Sequence, residues 1–467
     1  MKSKIGILTF SDGRERVHQT LLGENRRLLD GVIGALQASH EVDVVSGDEI
    51  IHTPDQARNQ ARKMIAEGVH GTIFNYSIWS FPHLSAIAAN IAKGPILLLS
   101  NLNPGFPGLV GMLAAGGSLD QIGIENSRVW GDIQDDGVMR RVLAFCRAAR
   151  AVSMLKGQTY GLIGGRSMGM YTAVADPRQW QETFGVDIEH IDQLEVVRLG
   201  QSVAEETIER AYKWLTTHIG RIAFDENLTP EVLKRQLRHY YATKQIVGEW
   251  KLDFCGIKCQ PEMSEHYSAP CLNQAFLNDP YDMDGPKEPF VCACEVDMDG
   301  ALTMQVLKLL SGKPVLFFDF RHYYPEDDTY VFCNCGSQAT WYAAASDDFR
   351  ENLRKVTFHS QRPYYFPSGA ATVCYMASPV EVTLARLMRK AGRYWMAIMP
   401  GKFVDYPAEK MAETSGEWPH CFVKLNVDPA ELISQYGSNH SHAVVGNCVE
   451  ELTAVCRMLG IEARVFG

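Results

Sequence analysis

The sequence predicts an α/β protein: two doubly wound parallel-sheet domains followed by a more β-rich C-terminal domain. Three observations carry this. Short apolar runs, KIGILTF, EVDVVSG, GTIFNYS and GPILLLSN, alternate with helical patterns through about residue 155. Such alternation builds parallel sheets with helices on both faces. A second strand-rich series opens at KGQTYGLIGG, after a helix around 135–155, and beyond residue 320 long helices give way to short strands rich in Tyr, Cys and Gly. A chain of 467 residues has room for about two to four domains. We expect domains at 1–155, 156–312 and 313–467.

In order, KIGILTF is the first strand, SDGRER its polar turn, and a long helix runs to about Ala38. Residues 203–250 are helical, with apolar positions at helical spacing in AEETIERAYKWL and EVLKRQLRHYYATKQIVGEW. LDFCGIKC is the next strand. A looser stretch, CLNQAFLNDPYDMDGPKEP, leads to the buried strand FVCACE. The helix GALTMQVLKLLS follows, with Asp299 as its expected N-cap and Gly312 as its stop. Asp297 is assigned to the solvated turn before that cap. PVLFFDF is the strand after it. GLIGGRSMGM lacks the Lys-Ser/Thr of a phosphate-binding P-loop and reads as a tight strand-to-helix turn.

Composition narrows the class. Hydrophobic residues make up 46% of the chain and charged ones 21%, as in an ordinary soluble protein with a sizeable core. A net charge of −10 argues against nucleic acid or an anionic membrane surface as partner. The first apolar run is too short for a signal peptide, and no run reaches the roughly 18 residues of a membrane helix. Twelve cysteines without a scaffold pattern fit a reducing cytoplasm. The C-x-C pairs Cys292/Cys294 and Cys333/Cys335 do not have zinc-finger spacing and read as packed thiols.

Two carboxylates stand out. Glu295 ends FVCACE and Asp319 lies near the end of PVLFFDF, both against apolar runs, where a carboxylate needs a partner, a hydrogen bond or a metal. A strand–helix–strand unit runs parallel, which would bring both to one sheet edge, where ligands bind in open α/β folds. The alternative is a helix-capping Glu295 and an Asp319 paired with Arg321. Converging carboxylates call for a cation such as Mn²⁺ or Mg²⁺, and Mn²⁺ also accepts imidazole. His440 and His442, in a glycine-flanked turn before an apolar strand, are the histidine candidates.

These residues carry a resemblance. EPFVCACEVDMDGALTMQVLKLLSGKPVLFFDFRHYY resembles the metal-site segment of bacterial L-fucose isomerases, relatives of the L-arabinose isomerases. KGQTYGLIGGRSMGM is similar to the family's glycine-rich junction segment, QYGSNHSHAVVGNCVEELTAVCRMLGIEARV to its C-terminal histidine segment, and KIGILTFSDGRER to its N-terminus. The resemblance implies that Glu295 and Asp319 bind the metal, Mn²⁺ with Mg²⁺ or Co²⁺ as alternatives, and act as the acid/base pair. It makes His440 the third ligand, beside Asn439 at a sugar-contact position, and puts His442 on an apolar family position. Trp79 matches an aromatic residue lent to a neighbouring subunit's site, and Arg14 an arginine near the sugar. The expected partners are a monosaccharide and further copies of the chain, in a hexamer.

Departures bear on the sugar. Cys335 stands in NCGS where relatives carry serine, Lys258 where they carry glutamine, and no tyrosine is evident near residue 370. A C-terminal extension and some insertions of longer relatives are absent. The implied activity interconverts L-fucose with L-fuculose and D-arabinose with D-ribulose through an enediol. The alternatives are an L-arabinose-type or broader aldose isomerase, or a non-catalytic sugar-binding protein.

Overall fold

The computed structural model describes residues 2–467 as two compact units: 2–154 with Glu450–Gly460, and Leu155–Val449 with Ile461–Gly467. In the first unit, β1 (Ser3–Thr9), β2 (Val42–Ser46), β3 (Gly71–Tyr76), β4 (Ile96–Ser100) and β5 (Ser127–Trp130) form one parallel sheet ordered β2-β1-β3-β4-β5. The period of two along β1 explains the layering. Ile5 and Ile7 join a core with Leu29 and Leu36 of α1 (Glu15–Ala38), while Leu8 and Phe10 join the opposite core with Ala61 and Met64 of α2 (Pro54–Ala66). Thr53 starts α2 with a reciprocal capping box to Gln56, and Pro54 occupies the first helical position. This is the doubly wound order in which ligands meet the carboxyl ends of the strands.

The second unit holds two sheets. The first is parallel and four-stranded: β6 (Thr159–Ile163), β7 (Asp187–Ile191), β8 (Phe254–Ile257) and β9 (Cys292–Cys294), in the order β9-β8-β6-β7. The second is mixed and follows the change of pattern expected from the sequence. Its strands are β10 (Leu316–Tyr324), β11 (Thr329–Cys333), β12 (Glu381–Lys390), β13 (Arg393–Phe403), β14 (His420–Leu425), β15 (His440–Val445) and β16 (Glu462–Val465). The pairing runs β12-β15-β10-β11-β14-β13, and β13 pairs again with β12, so six antiparallel strands close on themselves. Closure removes the exposed edges that long antiparallel strands would otherwise present. Parallel β16 attaches to β13.

Two local expectations are corrected. Glu295 and Asp319 do not share a sheet edge: β9 belongs to the parallel sheet and β10 to the closed antiparallel one. The reason is the intervening helix, Met298–Ser311, in which every residue except Lys308 and Ser311 is buried. A helix apolar on all sides is covered on all sides, and this one packs against strands of both sheets. It ends where expected, at Gly312 with φ +67°. GLIGGRSMGM is also no tight turn. From Gly164 it runs as an open loop into a short 3₁₀ turn, Tyr171–Ala173, before the helix Pro177–Phe184. Among the described residues no helix is long and apolar enough to cross a membrane.

Candidate metal centre and active site

Glu295 is presented by a strained turn. It and Val296 have φ +57° and +56°, and the Asp297 N–H closes the turn on the Cys294 carbonyl at 3.1 Å. Consecutive left-handed residues suit Asn-Gly, and a β-branched Val there is an outlier costing roughly 1–3 kcal/mol. Neighbours hold it in place. Gly256 leaves the needed room, since a Cβ there would lie 3.0 Å from the Val296 Cα and 2.3 Å from the Tyr160 hydroxyl. The strain aims Glu295 Oε2 at His440 Nε2, 3.3 Å away.

Asp319 and His440 meet through strand register. They are direct cross-strand partners of antiparallel β10 and β15, with Cys333 opposite Asp319 on the other side. Asp319 Oδ1 stands 3.6 Å from His440 Nε2 and accepts a 3.0 Å hydrogen bond from Asn439 Nδ2. His440 is therefore the first residue of a strand rather than part of the expected turn, and it is buried. The Phe317 ring packs against both histidine rings, at 4.5 Å from His440 and 5.0 Å from His442.

The largest correction is Asp297. It is fully buried, not solvated, and it is the helix N-cap, accepting the Gly300 N–H at 2.9 Å. Its Oδ2 accepts from His440 Nδ1 at 2.6 Å and from Arg386 Nη1 at 2.6 Å, and its Oδ1 accepts from Arg386 Nη2 at 3.0 Å. A carboxylate on Nδ1 fixes a proton there and points Nε2 toward Glu295 and Asp319, where it can act as a ligand once it gives up its own proton. Asp299, the expected cap, instead pairs with Arg389 at 2.7 Å and accepts from the Tyr394 hydroxyl.

Electrostatics agree with this division of labour. Burial would raise the Asp297 carboxyl, but Arg386 and His440 hold it far below the usual carboxylate range. Burial pushes Glu295 up to about 7. Burial alone would lower His440, but its hydrogen bonds to Asp297 and Glu295 outweigh that and hold the imidazolium up at about 10. Burial also raises Asp319, eased by His440 and Asn439. That rise is softened by water, because 37% of the Asp319 side chain is open to solvent.

Glu295, Asp319 and His440 fit a divalent ion by donor chemistry: two carboxylates and an imidazole whose free nitrogen is set by Asp297. Among the described residues no three His, Cys, Asp or Glu side chains are drawn into a closed cage. The trio is an open arc, with Nε2 spaced 3.3 and 3.6 Å from the carboxylates, beyond strong hydrogen bonds. An arc of this kind leaves coordination positions for a substrate.

The remaining expected residues divide between the units. Lys258, at the end of β8, is tied to Glu262 at 2.7 Å. Half-buried Cys335 shares a thiol cluster with Cys294 and Cys259, whose contacts push Cys335 and Cys259 well above the usual thiol range. His442 is buried against Arg386, with Nε2 3.2 Å from Nη1. Arg14 and Trp79 lie in the first unit, just past the carboxyl ends of adjacent strands β1 and β3. Arg14 forks onto Asp12 at 2.6 and 2.9 Å and holds that carboxyl down. Sequence reasoning missed Asp297 and Arg386. An Asp three residues before Gly300, and a lone Arg in the apolar strand VTLARLM, are the signals that pointed to them.

Comparison with known proteins agrees at both ends of the chain. The L-fucose isomerase first N-terminal domain matches residues 2–157, and its C-terminal domain matches 332–466. An L-fucose isomerase of Klebsiella pneumoniae is 29% identical over 255 residues, 47% of this chain and 43% of that protein, so this match spans less than half of the relative's length. One from Haemophilus influenzae is 25% identical over 549 aligned positions, 98% of this chain and 91% of the relative. One from Streptococcus pneumoniae is 27% identical, covering 76% and 74%. A periplasmic solute-binding protein of Actinobacillus succinogenes with bound D-allose covers 67% of this chain and 93% of its own at 13% identity, but its TM-score of 0.18 carries no argument. With domains of one family matched in order at both ends, and a relative aligned along nearly all of it, the chain belongs to the L-fucose isomerase family.

Proposed function

We propose that this protein is a metal-dependent aldose–ketose isomerase interconverting L-fucose with L-fuculose and D-arabinose with D-ribulose. The observation that supports it best is the meeting of Glu295, Asp319 and His440, from three separate elements, around a histidine oriented by buried Asp297. Glu295, Asp319 and His440 would hold the ion, Mn²⁺ in first place. Bound there, it supplies polarisation of the sugar's C1 and C2 oxygens and offsets the enediolate charge. The protein's own part is proton movement. One carboxylate takes the C2 proton and the other returns a proton at C1, a contribution of roughly 10² to 10⁴-fold. A Glu295 carboxyl near 7 suits a group that must both accept and donate near neutrality. Asn439 steadies Asp319, and Lys258 and Cys335 are the proposed sugar contacts peculiar to this chain. Arg14 is proposed as a sugar contact, and Trp79 is proposed to complete the site of a neighbouring copy in a homo-oligomer, a hexamer. Twelve free thiols suit a reducing cytoplasm.

The test is turnover in D₂O. Chelator-stripped protein restored with Mn²⁺ is incubated with L-fucose or D-arabinose and followed by NMR. Metal-dependent ketose carrying deuterium is the expected result. Ketose without deuterium would replace proton transfer by hydride shift, and no ketose from either sugar would sink the reading. Glu295→Gln should lose turnover by about 10² or more while sugar still binds. A sugar receptor would show only a modest change in affinity. Mixing Trp79→Ala with Glu295→Gln chains should restore activity if Trp79 crosses between copies.

A further inference from the structure

Behind the Asp297–Arg386 pair, within the second unit, lies a cavity of about 700 Å³ that the proposed reaction does not use. It is bounded by the glycine-rich loop at Gly165 and Arg166, by His190 at the end of β7, and by Arg386 and Arg389 of β12. Its size is that of sites for small molecules rather than a packing defect. Three guanidiniums reach it. Arg166 is exposed, lies over the Tyr171 ring at 5.1 Å and makes no ion pair among the described residues. Arg386 is 1% exposed, and its Nε is a buried donor with no partner among the described residues, although both its Nη atoms are engaged. Arg389 gives Nε to Asp299 and Nη2 to the carbonyls of Tyr171 and Val174.

One carboxylate, Asp299, is also on the wall. Its oxygens are taken by Arg389, the Tyr394 hydroxyl and the Trp180 indole, so its charge is spent within the protein. Asp297 likewise neutralises Arg386. What remains is the unpaired Arg166, the orphaned Arg386 donor and His190 at the rim, over an apolar wall of Leu162, Val174, Leu387 and Met388. Forked guanidinium donors match phosphate oxygens, and the apolar wall takes an organic body.

We propose that this cavity binds a phosphomonoester of a small molecule, a sugar phosphate or a nucleoside monophosphate, with Arg166 and Arg386 Nε on the phosphoryl group. The site also has a route to the metal centre, which rests on reading His440 as a ligand. Asp297 Oδ2 joins Arg386 and His440 at 2.6 Å each. An oxyanion on Arg386 competes with Asp297 for the guanidinium, leaving Asp297 a stronger acceptor for His440 and changing the affinity for the ion.

The metal-free full-length protein is titrated calorimetrically with ribose 5-phosphate, AMP, inorganic phosphate and unphosphorylated ribose. One phosphoester per chain is expected to bind, with ribose silent. Arg166→Ala, an exposed position, should weaken binding about tenfold, as for one lost charge-assisted hydrogen bond. Gly165→Phe should abolish it by filling the mouth, and the open space around Gly165 keeps the fold intact. No binding by either ester at millimolar concentration, equal binding of ribose, tighter binding of inorganic phosphate than of both esters, or indifference to both variants would each overturn the site. Mn²⁺ affinity, read by electron paramagnetic resonance with and without the ester, tests the route separately. A change seen in the parent and absent in Gly165→Phe supports it, and no change removes it whatever the isomerase assay gives.

Discussion

Gly300→Ala reverses an ordinary rule. Gly300 sits in the first turn of the helix Met298–Ser311 with an unremarkable negative φ, where Ala should stabilise by about 0.5–1 kcal/mol. Here the added Cβ would stand 2.7 Å from Arg386 Nη1 and 2.8 Å from both Cγ and Oδ2 of Asp297. Neither neighbour can yield cheaply. Asp297 is fixed by the Gly300 N–H, His440 and Arg386, and Arg386 is also held by the Thr172 carbonyl at 3.2 Å. Overpacking of this kind costs about 1–3 kcal/mol, which cancels the usual gain and leaves the substitution destabilising by up to about 2.5 kcal/mol net. Displacing Asp297 also loosens the bond that orients His440. Disturbed ligand-orienting groups cost roughly 10–100-fold in metal affinity. Urea unfolding gives the first quantity and Mn²⁺ calorimetry the second. A variant more stable than its parent, with unchanged Mn²⁺ affinity, would refute the account of Asp297 as the group that sets His440.

Further outcomes follow from the same cluster. Asp297→Asn leaves Arg386 buried without its counter-charge, so folding stability should fall by about 3–5 kcal/mol and Mn²⁺ affinity by about tenfold or more, read by denaturant melts and calorimetry. In metal-free protein His440 titrates at about 10, above its unfolded value near 6.5, so its stabilisation is complete below about 6.5 and is lost as pH rises toward 10. Glu295, raised to about 7 from 4.5, works in the same direction between those values. The Tm in EDTA should therefore fall from pH 6.5 to 9. Protection by Mn²⁺ should grow over that range, because ligands bind deprotonated. A flat Tm in EDTA would contradict the cluster's electrostatics.

The layered α/β beginning and the more β-rich end were legible because burial leaves periodic traces; that the end strands run antiparallel was not. Three strands of the first unit, Ser3–Thr9, Gly71–Tyr76 and Ile96–Ser100, are buried along nearly their whole length, and the long strands Glu381–Lys390 and Arg393–Phe403 follow the loss of helical pattern. Glu295, Asp319 and His440 were legible as a set only through motif resemblance. Their physical meeting was not, because it depends on a register between β10 and β15, 120 residues apart in the case of Asp319 and Asn439. The parallel-unit expectation failed for a specific reason. Sequence periodicity reports how many faces of a helix are covered, not which sheet covers each. Asp297 was misread because a carboxylate before a helix is usually a solvated cap; here the cap is buried, and its partners Arg386 and His440, 89 and 143 residues away, offset the cost of that burial.

Charge balance favours the proposed divalent ion over other cations in this cluster. Among the described residues Arg386 is the guanidinium hydrogen-bonded within the group of Asp297, Glu295 and Asp319, with Arg321 easing Asp319 from further off, so with His440 neutral the hydrogen-bonded group carries two negative charges. Such an excess in a largely buried site is costly. The chain alone relieves it by protonation: burial pushes Glu295 up to about 7, and hydrogen bonds to Asp297 and Glu295 hold the His440 imidazolium up at about 10. In the proposed site a doubly charged ion would restore neutrality without those protons and would leave both carboxylates able to exchange protons with a substrate. A monovalent ion would leave one charge uncompensated, and a trivalent one would overshoot. The Asp297–Arg386 pair thus has two consequences: it places a carboxylate on His440 Nδ1, and it sets the charge that the proposed ion would have to balance.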